Sequence, residues 1–189
     1  PTSQVSPEKY LNDASQLGYY ANGLYTNILP SHSGYSLTFV KDQYTDNQAY
    51  ITPNPIYIKD SWTVPANDSW NFKNIYDCNY FLERVLPRYE KGEVSGSTTE
   101  ICQYIGEVLF LRAYEYFDLY QNYGDLPIVT NTLPDDQTVL TEASKRFPRN
   151  EVARFILSDL DKALELMPEQ FESRRTRINR NCVLLLKSR

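Results

Sequence analysis

The sequence predicts a mainly helical, all-α domain that spans residues 1–189. Apolar residues recur three and four positions apart over several stretches, and most of these stretches end at a proline or glycine. No regular alternation of short apolar strands with helices is present, which argues against a parallel sheet. Apolar residues make up 41% of the chain and charged residues 23%, a composition typical of a folded domain.

The first predicted helix covers residues 7–29. A serine and a proline that suit a helix start precede its apolar positions, which continue until Pro30. The second predicted helix covers residues 69–86, and Pro87 is expected to end it because proline disrupts a helix interior.

The third predicted helix, residues 98–123, is the longest, and its apolar residues indicate burial on more than one side. Gly124 is placed to end it. Residues 128–140 are expected to form an extended connector. The last two predicted helices cover residues 149–167 and 178–188, and the apolar run of the second suggests that the domain continues in a longer protein.

Residues 31–66 interrupt the helical pattern and are predicted to form a long irregular loop. The segment contains four tyrosines, Phe39, Trp62 and three prolines. Loops of this length are uncommon in compact domains and are often functional. We therefore expect a binding surface in this segment.

Charge and motifs argue against several kinds of partner. The net charge of −5 disfavours nucleic acid, and the basic residues in 173–189 are interpreted as a solvated loop and helix face rather than an RNA-binding arm. None of the seven glycines forms a phosphate-binding GxGxxG or GxxxxGK[ST] motif. The three cysteines lack metal-site spacing, so we predict no metal and no cofactor, and we expect Cys78 and Cys182 to be buried thiols.

No catalytic residues are predicted. The sole histidine, His32, stands in the irregular segment without a recognisable catalytic setting. A glycosidase needs two carboxylates that flank a cleft, and two acidic pairs are candidates for that role. Asp135 and Asp136 are adjacent and are expected to point apart, whereas Asp159 and Asp161 are expected on the exposed face of their helix.

The helix at 98–123 carries a recognisable motif. It reads GEVLFLRAYEYFDL from Gly106 to Leu119, and YGDLP follows from Tyr123 to Pro127. This resembles the signature of the SusD/RagB family of nutrient-binding lipoproteins, in which E-x-x-F-L-R-A-x-x-x-F runs into Y-G-D-x-P. Further blocks agree in order, at 3–8, 70–79, 148–163 and 177–189.

The resemblance implies a tetratricopeptide-like helical scaffold with long loops, of which this chain would be the N-terminal portion. It also implies non-enzymatic binding of an oligosaccharide, a polysaccharide or another nutrient at the bacterial outer membrane. The surface-exposed lipoprotein would be anchored through a lipidated cysteine upstream of residue 1 and would deliver its ligand to a SusC-like TonB-dependent transporter. The alternative is a helical-repeat scaffold for protein interactions without glycan affinity.

Two expectations about side chains follow from this resemblance. Arg112 lies within an apolar helix and is expected to be structural, with a buried acid or carbonyl as its partner. Sugar rings stack on aromatic rings and need amide or carboxylate partners for their hydroxyls. The candidate ligand-binding residues are Trp62, Tyr57, Tyr50, Tyr44, Asn54, Asn67 and Asp68.

Overall fold

The computed structural model describes residues 10–30, 58–60, 63, 70–171 and 176–189. The mainly helical fold expected from the sequence is confirmed: these residues form six helices and two isolated β-bridges, and no strand is present among them. The helices are α1 (Ala14–Ile28), α2 (Lys73–Glu90), α3 (Thr98–Tyr123), α4 (Gln137–Ala143), α5 (Arg149–Leu166) and α6 (Arg180–Lys187). All six helices belong to one compact unit, and residues 29–71 belong to a second one.

Helix α1 begins later than the apolar pattern predicted. Leu11 has a φ of 62°, a left-handed conformation that the interior of a right-handed helix excludes. Asp13 then caps the helix, because its Oδ1 accepts a hydrogen bond from the Gln16 backbone N–H at 3.0 Å. Residues 1–9, which include the start expected from sequence, lie outside the described residues.

Helix α2 does not end at Pro87, so that expectation was wrong. The helix continues to Glu90, and the Lys91 backbone N–H donates to the Pro87 carbonyl at 3.3 Å. Proline removes one N–H donor, and a position in the last turn leaves few later hydrogen bonds to disturb. The chain turns after α2 at Gly92 and Gly96, which both have positive φ.

Helix α3 lies at the centre of the helical unit. It packs against α1, α2 and α5, and buried side chains are distributed around its circumference. Gly124 ends the helix as expected, with a φ of 76°, a backbone conformation that glycine adopts without strain.

A short helix replaces part of the expected extended connector at 128–140. Helix α4 begins after Asp136, whose carboxylate accepts hydrogen bonds from the backbone N–H groups of Thr138 and Val139 at 2.9 and 3.0 Å. Such a cap stabilises a helix start locally, so α4 forms although none of its residues is buried.

The last two helices pack against each other. The Asn179 side chain caps α6 by accepting from the backbone N–H groups of Asn181 and Cys182. Cys78 is fully buried in α2, as expected, but Cys182 is only half-buried, so that expectation was wrong: the buried residues of α6 are Val183 and Leu186. No helix in the described part of the chain is long and apolar enough to cross a membrane.

Candidate functional site

The ligand-binding residues predicted from sequence lie outside the residues that the structure describes. From the predicted loop at 31–66, only residues 58–60 and 63 are described. The structure therefore defines the helical base, and the proposed contacts stay predictions. Those contacts are Trp62, Tyr57, Tyr50, Tyr44, Asn54, Asn67 and Asp68.

A buried ion pair joins α3 to α5. Arg112 donates from Nε and Nη2 to the two carboxylate oxygens of Asp159, each at 2.7 Å, and from Nη1 to Asn79 Oδ1 at 2.8 Å. Only 7% of Arg112 and 5% of Asp159 are exposed. The expectation that Arg112 has a buried acidic partner is confirmed, whereas the expectation that Asp159 lies on an exposed face was wrong.

The position of Asp159 has a simple origin in the helix repeat. Asp159 follows Ile156 by three positions and precedes Ala163 by four, so it shares their buried face. Burial raises the pKa of the Asp159 carboxyl, and the hydrogen bonds and positive charge of Arg112 oppose that rise. The spacing alone could have placed this acid on the buried face of its helix.

Side chains of α2 and α3 form hydrogen bonds with the backbone of Val129, in the segment that follows α3. Asn79 Nδ2 donates to the Val129 carbonyl at 2.8 Å, and Tyr116 Oη accepts from the Val129 backbone N–H at the same distance. Tyr116 is fully buried, and burial is the main cause that raises its pKa to about 12. These bonds extend the Arg112 cluster to the segment that leaves α3.

The YGDLP turn also starts α5. Asp125 Oδ1 accepts from the Arg149 backbone N–H at 2.9 Å, which satisfies a donor that the helix itself leaves unpaired. Leu126 and Phe147 exchange two backbone hydrogen bonds, at 2.8 and 3.3 Å. The turn therefore does more than end α3, since it also fixes the entry into α5.

A second buried cluster surrounds Glu107, which is fully buried in α3. Arg177 binds both of its oxygens, with Nε–Oε1 and Nη2–Oε2 distances of 2.7 and 2.6 Å. Gln103 Nε2 also donates to Glu107, at 2.8 Å, and to the Ile178 carbonyl, at 2.7 Å. The hydrogen bonds to Glu107 are the main cause that raises the pKa of Arg177.

Helix α1 contributes to this second cluster as well. Arg177 Nη1 donates to Asn22 Oδ1 at 2.8 Å, and the Ile178 backbone N–H donates to Tyr25 Oη at the same distance. The Arg177 guanidinium lies 5.4 and 4.9 Å from the ring centres of Tyr25 and Tyr104. The sequence shows Arg177 within a basic run and at the start of a block that resembles the family, but no local pattern predicts a contact over such a distance in the chain.

Aromatic side chains also line the contact between α1 and α2. The Tyr20 and Tyr80 rings stack with centres 6.2 Å apart, and the Arg84 guanidinium lies 3.6 Å from the Tyr80 ring centre. Tyr20 Oη donates to the Asp77 carbonyl at 2.8 Å, and burial raises the pKa of this phenol. These half-buried tyrosines serve the packing between two helices, so part of the tyrosine surplus is structural.

Three of the four acids weighed as glycosidase residues have structural roles. Asp136 caps α4, Asp159 pairs with Arg112, and Asp161 forms an ion pair with Lys187. Within the described ranges, no group of three or more histidine, cysteine or acidic side chains could hold a metal ion. Of these three acids, Asp159 and Asp161 pair with basic side chains of other helices, and Asp136 caps its own helix.

Comparison with known proteins agrees with this geometry. Residues 5–189 match the SusD-like family described as starch-binding and associating with the outer membrane. A SusD-like protein of Formosa agariphila is 23% identical over 185 residues, which cover 92% of this chain and 35% of that protein. The chain thus spans about a third of the length of this relative.

Solved structures show the same fold. A SusD-like protein of Bacteroides fragilis superimposes with a TM-score of 0.62 at 24% identity, covering 95% of this chain and 35% of the other. A SusD-like carbohydrate-binding protein of the same species gives a TM-score of 0.65 at 19% identity, covering 94% of this chain and 37% of the other. The family match over nearly the whole chain, together with this shared fold, shows that the chain belongs to the SusD-like family.

Proposed function

We propose that the full-length protein binds a glycan at the bacterial cell surface and does not turn it over. The observation that carries the proposal is the family match over residues 5–189, since that family is described as starch-binding. The described helices are compatible with a binding role, because their buried ion pairs and caps give a rigid helical unit, and loops carried by such a unit often bind ligands.

The proposed contacts are four aromatic and three polar side chains: Trp62, Tyr57, Tyr50, Tyr44, Asn54, Asn67 and Asp68. Rings of tyrosine and tryptophan provide flat apolar faces for sugar rings, and neighbouring asparagine and aspartate side chains provide hydrogen bonds for the hydroxyls. Among them, Trp62 is the only tryptophan and offers the largest ring. We expect it to contribute most to the affinity.

Isothermal titration of the full-length protein against a panel of oligosaccharides tests the proposal. At least one glycan should bind, and Trp62→Ala should weaken that binding by about tenfold or more. Tyr19→Ala is the matched control, because Tyr19 is 77% exposed on α1 and lies outside the proposed segment. Absence of binding to every glycan would refute the proposal, and equal loss in both variants would refute the assignment to Trp62.

We also propose that the protein is an outer-membrane lipoprotein and delivers its ligand to a SusC-like TonB-dependent transporter. The outer-membrane association in the family description supports this location. Affinity purification of the tagged full-length protein from its native membrane should recover a transporter barrel. Recovery of the barrel without affinity for any glycan would favour an interaction scaffold, and release of reducing sugar from a polysaccharide would contradict a role without turnover.

A further inference from the structure

The segment that leads into α1 is bound by the end of α2 and by the turn that follows it. Arg88 Nη1 donates to the Tyr10 carbonyl at 2.8 Å and to Asn12 Oδ1 at 2.6 Å. The Ser95 backbone N–H donates to the Asn12 carbonyl, and the Ser95 carbonyl accepts from the Ala14 backbone N–H, each at 2.9 Å. These four hydrogen bonds are called the N-terminal clasp.

Gly96 permits the close approach on which the N-terminal clasp depends. A Cβ atom at this position would lie 2.7 Å from Ala14 Cβ, closer than two such atoms can stand. The φ of Gly96 is 115°, a value that residues with side chains rarely adopt. Glycine at this position therefore lets the turn between α2 and α3 lie directly against the start of α1.

Leu11 holds the same segment from its other side. Its side chain is completely buried, and its backbone has a φ of 62°, in the left-handed region that a bulky side chain rarely occupies. Such a conformation persists only where the surrounding contacts determine it. The chain cannot be drawn straight at this point unless Leu11 leaves the core and the N-terminal clasp opens.

The N-terminal clasp connects the preceding chain to α2 and α3 before it connects it to α1. Arg88 lies in the last turn of α2, and Ser95 lies in the turn that leads into α3, the central helix. Helix α1 begins only at Ala14, after the residues that Arg88 binds. A force applied upstream of residue 10 therefore meets the clasp before it reaches the interior of α1.

We propose that the N-terminal clasp is the force-bearing attachment between the helical unit and its membrane tether. This inference rests on the proposed role as an outer-membrane lipoprotein, whose anchor precedes residue 1. A tethered protein that holds a large glycan is pulled at its N-terminal end when the glycan and the membrane move apart. The clasp then keeps α1 folded, together with the Tyr20 and Asn22 contacts that join α1 to other parts of the helical unit.

Constant-force unfolding of the full-length protein, with handles at its two ends, tests the proposal. Arg88→Ala removes two bonds of the clasp, and we expect it to shorten the lifetime of the folded protein by about tenfold or more. Arg84→Ala is the matched control, because Arg84 lies one turn earlier on α2 and its Nη1 donates to the Tyr80 carbonyl of the same helix. That variant should stay within about twofold of the wild-type lifetime.

A second pair of handles separates a force-bearing role from ordinary destabilisation. One handle is placed at Lys73, an exposed residue at the start of α2, and the other at the C-terminal end. A load applied between these points bypasses the N-terminal clasp. Arg88→Ala should then shorten the lifetime far less than it does when the load enters at the N-terminal end.

Three results would overturn the proposal. Equal shortening by Arg88→Ala with both pairs of handles would show that the clasp only stabilises the fold. A wild-type lifetime of Arg88→Ala under N-terminal load would show that the force takes another path, although the protein could still be a lipoprotein. Mass spectrometry of the native protein checks the tether separately, and absence of an acyl chain would remove both the anchor and the force on the clasp.

Discussion

Individual buried polar side chains decide which helix faces meet in this domain. Arg112 and Asp159 are 47 positions apart and satisfy each other through two hydrogen bonds. Such a pair adds little net stability, because both groups lose their hydration, but either group alone is strongly unfavourable in the interior. The pair therefore favours the one arrangement of α3 and α5 that brings its members together.

Removal of Asp159, one partner of this ion pair, should destabilise the domain. Asp159→Ala leaves the Arg112 guanidinium buried without its counter-charge, and we expect the free energy of unfolding to fall by about 3–5 kcal/mol in urea titrations. Asp161→Ala is the matched control, since Asp161 is half-exposed and its ion pair with Lys187 should contribute less than about 1 kcal/mol. Equal losses in both variants would contradict the importance of burial.

Glu115 should make stability depend on pH. Burial is the main cause that raises the pKa of its carboxyl above the usual 4.5, against an opposing hydrogen bond from Asn74. The folded state therefore holds the proton more tightly, so this contribution to stability is present below pH 4.5 and is lost as pH rises through the folded pKa. Glu115→Gln should stabilise the domain at pH 7 and have little effect near pH 4, measured by urea midpoints.

Glu83 is the control for Glu115, because its pKa is shifted in the opposite direction. Hydrogen bonds from the backbone and side chain of Thr132 lower the pKa of this carboxyl. Its contribution is present above pH 4.5 and is lost as pH falls through the lowered value, so Glu83→Gln should destabilise the domain at pH 7. Changes of the same sign in the two variants would contradict these assignments.

Whole helices were easier to predict than the side chains that join them. The spans of α3 and α5 follow from a regular apolar repeat, and Gly124 marks the end of α3 because its backbone has positive φ. Helix α4 was not predicted, since it has no buried residues and therefore no apolar repeat, and its start is marked only by the Asp136 cap. The ligand contacts around Trp62 stay predictions, because no periodicity determines how an irregular segment arranges its rings.

Close approach of two helices depends on Gly106. A Cβ atom at this position would lie 2.5 Å from Met167 Cγ and 3.3 Å from the Ala163 carbonyl oxygen. We expect Gly106→Ala to lower the free energy of unfolding by about 1–3 kcal/mol, because the buried Met167 would have to move. Thermal unfolding monitored by circular dichroism measures this loss.

Gly23 is the matched control for that substitution. It also lies within a helix, but among the described residues no atom other than the nearby backbone of that helix stands within 4 Å of a Cβ added there. Gly23→Ala should therefore stabilise the domain by about 0.5–1 kcal/mol through helix propensity. Stabilisation by both alanines would show that α3 and α5 have room to adjust.

At the scale of the whole molecule, Arg177 connects segments that are far apart in the sequence. It binds Asn22, 155 positions earlier, and Glu107, 70 positions earlier. Through these contacts the first helix, the central helix and the segment that leads into the last helix are joined around the buried Glu107. We expect them to unfold together in a single transition.

Arg177→Ala should lower the free energy of unfolding of the whole domain. Glu107 is completely buried and would lose its counter-charge, so we expect a loss of about 3–5 kcal/mol in the free energy of unfolding. Arg154→Ala, an exposed arginine on α5, should change it by less than about 0.5 kcal/mol. A wild-type unfolding midpoint for Arg177→Ala would show that water replaces the guanidinium.

The anchoring of α1 has a consequence for how such domains diversify. Tyr20 and Asn22 attach α1 to α2 and to the Arg177 cluster through side-chain bonds of its own. Residues 29–72 connect α1 to α2 along the chain, whereas the hydrogen bonds that attach α1 are made by residues of the helical unit itself. The helical unit therefore keeps these contacts whatever the length or sequence of the segment between α1 and α2. A change in that segment can alter what the protein recognises while the core stays the same.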